Sequence, residues 1–531
     1  MSEFARIVFF VSHYTLPICA IAVIVFSFLA LFIRKNGFLT YLLLEDSSRI
    51  ELTQRESLFG SSTDCDFRLA GLLKEHFVIT LKSNSVVIRP LKQGTVLVND
   101  EEIDGEVSLK VNDVILAGNR EFSIIRKKSA QKRKEKDVLS TFAKFSLFAF
   151  QTLLLLQFII VYDLKIALCY LLFIALQFVY LLFNKSCNVN LELVVFFLIT
   201  LGITVVAGMG SKPLLKQLIC FAAGSVVAFF IYFVFSAKLA KTLKIPAFLV
   251  GVALFIANIV MGVVYNGSQN WVEIGSASFQ PSEFVKVIVV FLSAATANTI
   301  DKKHNTFGYS VFVLFCVASL AYLRDFGTAA VYIAVYLAVI LLRKCDWLYF
   351  LAVVGTGVAA ITVACVAFPY VAKRFFAFGQ AWQHAFDSGF QQTRTMVAVG
   401  SGGLLGVGTS KGYLRNVTAF DTDIVFGVIC EELGIIVGVC ALIAFVLLAL
   451  YAVKLFNSAS CFYSIPACAA VMIFLVQASL NVFGSLDMLP FTGVTLPFIS
   501  NGGSSAVCCV ALIAFFKAAE REAMTRNEKS K

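Results

Sequence analysis

Ala247–Tyr265, AFLVGVALFIANIVMGVVY, carries no charged side chain. About 20 such residues in a helix span the roughly 30 Å of hydrocarbon in a bilayer. Ile7–Ile33 and Phe142–Tyr162 read the same way, in a chain of 531 residues that is 59% hydrophobic, 15% charged and rich in Phe (53), with a mean hydropathy of +0.85. The alternating pattern of a lipid-facing barrel strand is absent, so the reading is a polytopic α-helical membrane protein. A formal charge of +11 raises nucleic acid as a partner. The lysines and arginines fall mainly in short loops and the tail, where they set membrane orientation instead, so no nucleic acid is expected. The 14 cysteines are scattered through apolar segments without metal-ligand spacing and read as small buried hydrophobes.

Working outward, the spans number about thirteen. A retained anchor occupies residues 1–35, followed by a strand-like region at 36–126, a basic linker at 127–138 and two accessory helices at 139–184. Ten further spans are expected at about 189–209, 215–236, 245–265, 281–299, 308–323, 327–342, 347–368, 424–453, 463–485 and 502–519. They make up a core at 185–520, ahead of a basic tail at 521–531. With this count, the loops bearing Lys238, Lys241 and Lys244, Lys302-Lys303, Arg343-Lys344 and Lys454 share one side with the linker and the tail. By the positive-inside rule that side is cytosolic. The polar segments 266–280, 369–423 and 485–501 then lie outside, as does the amino terminus, whereas the strand-like region and the carboxy terminus are cytosolic.

Region 36–126 alternates apolar and polar residues, as in Ser85-Val86-Val87-Ile88-Arg89, between turns such as Asn99-Asp100. That is the pattern of a small β-sandwich. Its punctuation is Gly60, Asp64-Cys65-Asp66-Phe67, His76, Gly94-Thr95, Val98-Asn99 and Asn112 to Gly118, which resembles the forkhead-associated (FHA) domain. The resemblance implies a ligand face at Gly60, Ser61, His76 and Asn99, and a cytosolic protein as partner. FHA domains read phosphothreonine through an arginine after the first glycine and a serine three residues before the histidine. Ser61 and Leu73 stand there in this chain. Without guanidinium and hydroxyl the charge-assisted bonds to phosphate are lost, so a docking or scaffold role is expected. His76 reads as a packing and hydrogen-bonding residue.

Four polar clusters lie at the outer side of the core. They are Gly267–Gly275 continuing to Lys286, Arg324-Asp325-Phe326-Gly327-Thr328, Gly389 through Gly400-Ser401-Gly402-Gly403 to Asp423 and Glu431-Glu432-Leu433-Gly434, and Leu489 to Ser505. In this order and spacing they resemble the SEDS (shape, elongation, division and sporulation) family, the RodA, FtsW and SpoVE type of peptidoglycan glycosyltransferase. The resemblance covers about residues 185–520. It implies polymerisation of lipid II, the undecaprenyl-pyrophosphate-linked disaccharide peptide, at the outer face of the bacterial plasma membrane, together with a class B penicillin-binding protein. A lipid-linked precursor flippase and a non-catalytic assembly scaffold are the other classes with many spans and polar cavities, but no paired inverted repeat with matched broken helices is visible.

Glycosyl transfer needs a base for the acceptor hydroxyl and a group to stabilise the departing pyrophosphate. Asp423 matches the family's essential aspartate and is the expected base, though it also stands where it would cap the following helix. Asp421 occupies the family's usual histidine position, and the two carboxylates could share a proton or a divalent cation. Trp271 matches a family loop tryptophan, for substrate packing or an interfacial belt. Glu283 and Lys286, three apart on one helix, read as a buried pair lining a cavity. Asp325 matches a family aspartate, and Arg324 beside it is a cation for phosphate or its salt-bridge partner. Arg394 is a further candidate for phosphate, with Gln391 beside it, while Lys411 and Arg415 read as solvated. Ser504 and Ser505 open the last span, where free helix amides can hold an anion, and Asn501 replaces a family tyrosine.

Overall fold

The computed structural model describes residues 3–529 except 33–37, 45–48, 53–55, 63–64, 82–85, 92–94, 111–112, 129, 162–163, 184–188, 237–238, 266–267, 276, 298–302 and 345–377, of which last stretch 351 and 355 are described. The span expected at 347–368 and the start of the polar loop after it therefore fall almost wholly outside the described residues. The chain forms two compact units, one of residues 1–29 with 140–525 and one of 30–139 with 526–531.

The smaller unit contains a β-sandwich of eleven strands: β1 Phe38–Leu44, β2 Arg49–Glu51, β3 Glu56–Gly60, β4 Phe67–Arg68, β5 Phe77–Leu81, β6 Val86–Pro90, β7 Val96–Val98, β8 Glu101–Glu102, β9 Val107–Leu109, β10 Val114–Ala117 and β11 Arg120–Lys128. One sheet runs β2-β1-β11-β10-β7-β8 and the other β4-β3-β5-β6-β9. Alternate residues of both sheets, among them Leu42, Phe59, Phe77, Ile88, Ile115 and Phe122, point inward and form the core, which is the period-two rule in practice. Phe59 stacks between Phe67 and Phe77 with centroids 4.9 Å apart on each side. Asn99-Asp100 turns β7 into β8 with positive φ at both residues (52° and 68°), the backbone a two-residue hairpin of this hand demands.

The helices lie wholly or mainly in the larger unit: α1 Glu3–Phe32, α2 Ala130–Val161, α3 Leu164–Phe183, α4 Val189–Ala207, α5 Ser211–Ser236, α6 Lys244–Met261, α7 Pro281–Ala297, α8 Lys303–Tyr322, α9 Phe326–Lys344, α10 Phe390–Gly402, α11 Val425–Leu433, α12 Ile435–Phe456, α13 Cys461–Ser485 and α14 Gly503–Lys529. Among the described residues nine helices are long and apolar enough to cross a membrane, and Phe307–Tyr322 and Phe326–Leu342 are shorter apolar helices. The span of α4 is 94% buried within the protein, against 17% for α6, so α4 is central and α6 faces outward. Among the described residues eleven cysteines are free thiols, and six of them are buried.

Two expected spans come out differently. The run 245–265 is helical only to Met261. Gly262–Tyr265 then forms strand β12, antiparallel to β13 (Ser268–Ile274), which pairs with β14 (Ala277–Phe279). β-branched Val263 and Val264 after a glycine favour a strand. The run 424–453 breaks at Gly434, between α11 and α12, where φ is +92° and a Cβ would collide with Leu404 O. Only glycine fits that backbone.

Candidate functional site

A cavity of about 790 Å³ opens in the larger unit, and its wall is assembled from segments far apart in sequence: 268–271, 278–283, 324–328, 388–392, 418–423, 491–495 and 501–505. Trp271, Glu283, Asp325, Gln391, Asp423, Ser504 and Ser505 all line it, as does Arg324. Lys286, Arg394 and Asp421 do not.

α7 begins at Pro281, whose missing N–H suits the first helical position, and puts Glu283 in its first turn, where the helix dipole favours an anion. Lys286, one turn on, donates to Glu283 Oε1 at 2.6 Å, and the two residues are only 3% and 4% exposed. Glu283 thus reaches the cavity with its cation behind it. Asp325 caps α9, its Oδ1 accepting from the Thr328 amide at 3.0 Å. Its Oδ2 accepts from Asn270 Nδ2 at 2.9 Å and from Gln280 Nε2 at 3.2 Å. Asp325 is therefore a knot tying β13 and the start of α7 to α9. Gln280 continues the network, its backbone N–H donating to Ser504 Oγ at 3.4 Å, while Ser505 Oγ lies 2.9 Å from Thr495 Oγ1. Trp271 sits on β13 opposite Val263, half-buried at the cavity edge.

Asp423 is held through its backbone. The carbonyl of Ala419 receives the amides of Thr422, Asp423 and Ile424 at 3.2, 3.0 and 3.4 Å, a turn that requires the left-handed φ of +60° at Ala419. Arg324, also on the cavity wall, has φ +62°. Non-glycine residues in that region store strain of about 1–3 kcal/mol and concentrate at functional sites. Asn481 Nδ2 donates to the carbonyls of Thr422, Asp423 and Val494 at 3.3, 3.0 and 2.8 Å, and Ser500 Oγ to Thr422 O at 2.7 Å. The Asp423 carboxylate passes so close to Gly493 (φ +64°) that a Cβ there would lie 3.3 Å from its Oδ2. Asp423 precedes the Ile424 cap position of α11 and lines the cavity.

Asp421 goes elsewhere. Its Oδ2 accepts from Asn501 Nδ2 at 2.9 Å and its carbonyl from the Asn501 amide at 2.8 Å. The asparagine in the family's tyrosine position is thus matched to the aspartate in the histidine position. Among the described residues no three His, Cys, Asp or Glu side chains gather as metal ligands, and Asp421 lies off the cavity wall that Asp423 lines.

Arg394 packs over Phe390, 5.2 Å from the ring centroid, so Arg324 is the arginine that reaches the cavity. Gln391 Nε2 donates to Thr418 O at 2.8 Å. Arg415, expected to be solvated, is instead ion-paired with buried Glu432 through both Nε and Nη2, the latter at 2.9 Å, and donates to Val205 O at 3.1 Å. Glu431 accepts from the amides of Tyr413 and Leu414 at 2.8 and 2.9 Å. Lys411 lies 4.1 Å from the Phe9 ring centroid. Sequence reasoning passed over Asn481, although an amide side chain inside an apolar helix signals a hydrogen-bonding task.

In the sandwich, a Cβ at Gly60 would strike Lys74 O, and the Ser61 amide donates to Leu73 O at 2.8 Å. Buried His76 accepts from the Leu73 amide at Nδ1 (3.2 Å) and donates from Nε2 to Thr95 O (3.1 Å), pinning the β4–β5 loop to the β6–β7 loop. Asn99 spends its amide group on Asp113 Oδ1 and the Val114 amide, both at 3.0 Å.

Fold and site define a polytopic membrane protein with a polar cavity built from the ends of its apolar helices. The profile of the FtsW, RodA and SpoVE family, described as cell cycle proteins, matches residues 181–525. The chain belongs to that family, and is a multi-pass membrane protein. It is 31% identical over 276 residues to the "Probable peptidoglycan glycosyltransferase FtsW" of Pseudomonas fluorescens, covering 50% of this chain and 68% of that one. It is 28% identical over 302 residues to the stage V sporulation protein E of Bacillus subtilis, covering 55% and 82%. Among solved structures, a chain from a study of how a peptidoglycan synthase complex coordinates polymerization and crosslinking shares the fold at a TM-score of 0.53 and 23% identity, over 64% of this chain and 98% of that one.

Proposed function

We propose that the protein is a peptidoglycan glycosyltransferase that polymerises lipid II into glycan strands at the outer face of the bacterial plasma membrane. The observation that carries this reading is the cavity, which unites Asp423 with Trp271, Glu283, Asp325, Gln391, Ser504 and Ser505. The names of the relatives support the same activity.

Asp423 is the general base. It accepts the proton of the acceptor sugar's hydroxyl as that oxygen bonds to the donor's anomeric carbon, and the bond from that carbon to the pyrophosphate breaks. Arg324 faces the departing pyrophosphate across the cavity, and the free amides at the start of α14, beside Ser504 and Ser505, add partial positive charge. Trp271 gives a sugar ring a flat apolar face at the rim, and Gln391 and the Glu283–Lys286 pair bind polar groups of the disaccharide. No step is assigned to a divalent cation.

Gln157 bridges Ser12, near the start of α1, to Thr409, in the loop leading to Asp423. This bridge supports a topology in which the amino terminus and the catalytic loop share the outer side, with the sandwich and carboxy terminus cytosolic. A class B penicillin-binding protein is the expected partner, in keeping with the synthase complex that shares the fold. The sandwich, with Ser61 and Leu73 at the phosphate-reading positions, docks a cytosolic protein.

The test is full-length protein, with and without its transpeptidase, given labelled lipid II. Glycan ladders resolved on a gel support polymerisation. Lipid II crossing vesicle bilayers without ladders would favour a flippase, and neither result would favour a scaffold.

A further inference from the structure

Loop 403–416 lies between α10 and the Asp423 turn, and groups from α1, α2, the end of α4 and α11 hold it. Gln157 of α2 is 2% exposed. Its Oε1 accepts from Thr409 Oγ1 at 2.7 Å and its Nε2 donates to Ser12 Oγ of α1, and both bonds are buried. Lys411 lies over Phe9 of α1, a cation–π contact. On the other side, the end of α4 presses on the loop so closely that a Cβ at Gly208 would overlap Ser410 Oγ and the Arg415 guanidinium. Arg415 in turn ties the loop to Glu432 of α11, the helix that Asp423 precedes.

We propose that Gln157 is a positioning residue for the glycosyl transfer: it anchors loop 403–416 to α1 and α2 and so fixes the lip of the cavity that bears Asp423. The proposal rests on the polymerase reading for its catalytic consequence, while the anchoring itself does not. The placement of Gln157 supports a dedicated role. A glutamine amid apolar residues of a membrane helix is costly unless its amide is used, and here both ends of the amide bond outside α2. The helices that supply the anchor also flank the sandwich in sequence, and its first and last strands pair side by side, Phe38 opposite Lys128. The two chain ends that leave the sandwich toward α1 and α2 therefore start as neighbours.

The experiment uses the full-length protein in lipid nanodiscs, as wild type, Gln157→Leu, Thr409→Val and the double variant. Two quantities are read: kcat and KM for lipid II, and amide hydrogen exchange across 405–416. Each single variant is expected to lower kcat roughly tenfold, the scale of one buried hydrogen bond, with KM within about twofold. Exchange in 405–416 accelerates in each, and the double variant is no worse than Gln157→Leu alone, because that substitution has already removed the bond that Thr409→Val takes away. Unchanged exchange and kcat, or additive losses in the double variant, would overturn the proposal. Thr409→Val leaves every membrane helix intact and carries the test if Gln157→Leu does not accumulate. If the wild type makes no glycan, the polymerase reading falls by itself. Exchange then decides the anchor: acceleration supports it and unchanged protection overturns it.

Discussion

Glu283–Lys286 and Arg415–Glu432 are both buried ion pairs in the larger unit, yet they do different work. The first joins residues three apart on one helix and presents its carboxylate to the cavity. The second joins residues seventeen apart, off the cavity wall, and locks a loop onto α11. Burying charge is costly in either place. What separates them is the surface the pair faces: the first presents a carboxylate to the cavity, the second holds a loop to the helix that Asp423 precedes.

The largest expected effect is at Lys286. Lys286→Met strands Glu283 in a buried site, a change that typically costs about 3–5 kcal/mol, and should lower the thermal midpoint in detergent and abolish glycan synthesis. Adding Glu283→Gln should restore the midpoint but not the glycan. If the double variant polymerises normally, the pair is structural and the contrast fails. Arg415→Met should lower kcat about tenfold, and Arg415→Met with Glu432→Gln should recover most of it, since no charge is then left unpaired. Failure of that recovery would put Arg415 in the chemistry and erase the contrast from the other side. Trp271→Ala should raise KM for lipid II severalfold with kcat little changed, as loss of uniform binding does; an equal fall in kcat would mean that it acts in the transition state. Smallest of all, phosphothreonine peptides titrated into the full chain should give no calorimetric heat, and micromolar binding would show that the sandwich has rebuilt its phosphate site with Ser61 and Leu73 in place of the usual arginine and serine.

Local signals carried much of this into the sequence. Glu283 and Lys286 announce themselves by helical spacing, and the turn at Asn99-Asp100 by its residue types. The cavity's composition was legible because its residues lie in four polar clusters at span ends. Arg415 was not, because its partner lies seventeen residues away and only folding brings the two together. The same holds for Gln157, whose partners Ser12 and Thr409 are separated by most of the chain. Arg394 had the right chemistry for phosphate but sits on a face of α10 that packs on Phe390, and no pattern in a short, polar helix reveals which face looks inward. The break at Gly434 was hidden for a related reason: an apolar run on both sides of a glycine reads as one span until the carbonyl of Leu404 is seen in the way.

The central claim is that one of two neighbouring carboxylates does the chemistry. Asp423 lines the cavity, whereas Asp421 is bonded to Asn501. Single-turnover glycan synthesis from lipid II should be compared for wild type, Asp423→Asn and Asp421→Asn. Loss of a general base costs about 10²–10⁴-fold, so Asp423→Asn should fall by at least 100-fold while Asp421→Asn, which can still bond Asn501, stays within about tenfold. Equal losses, or a larger loss at Asp421, would contradict the account.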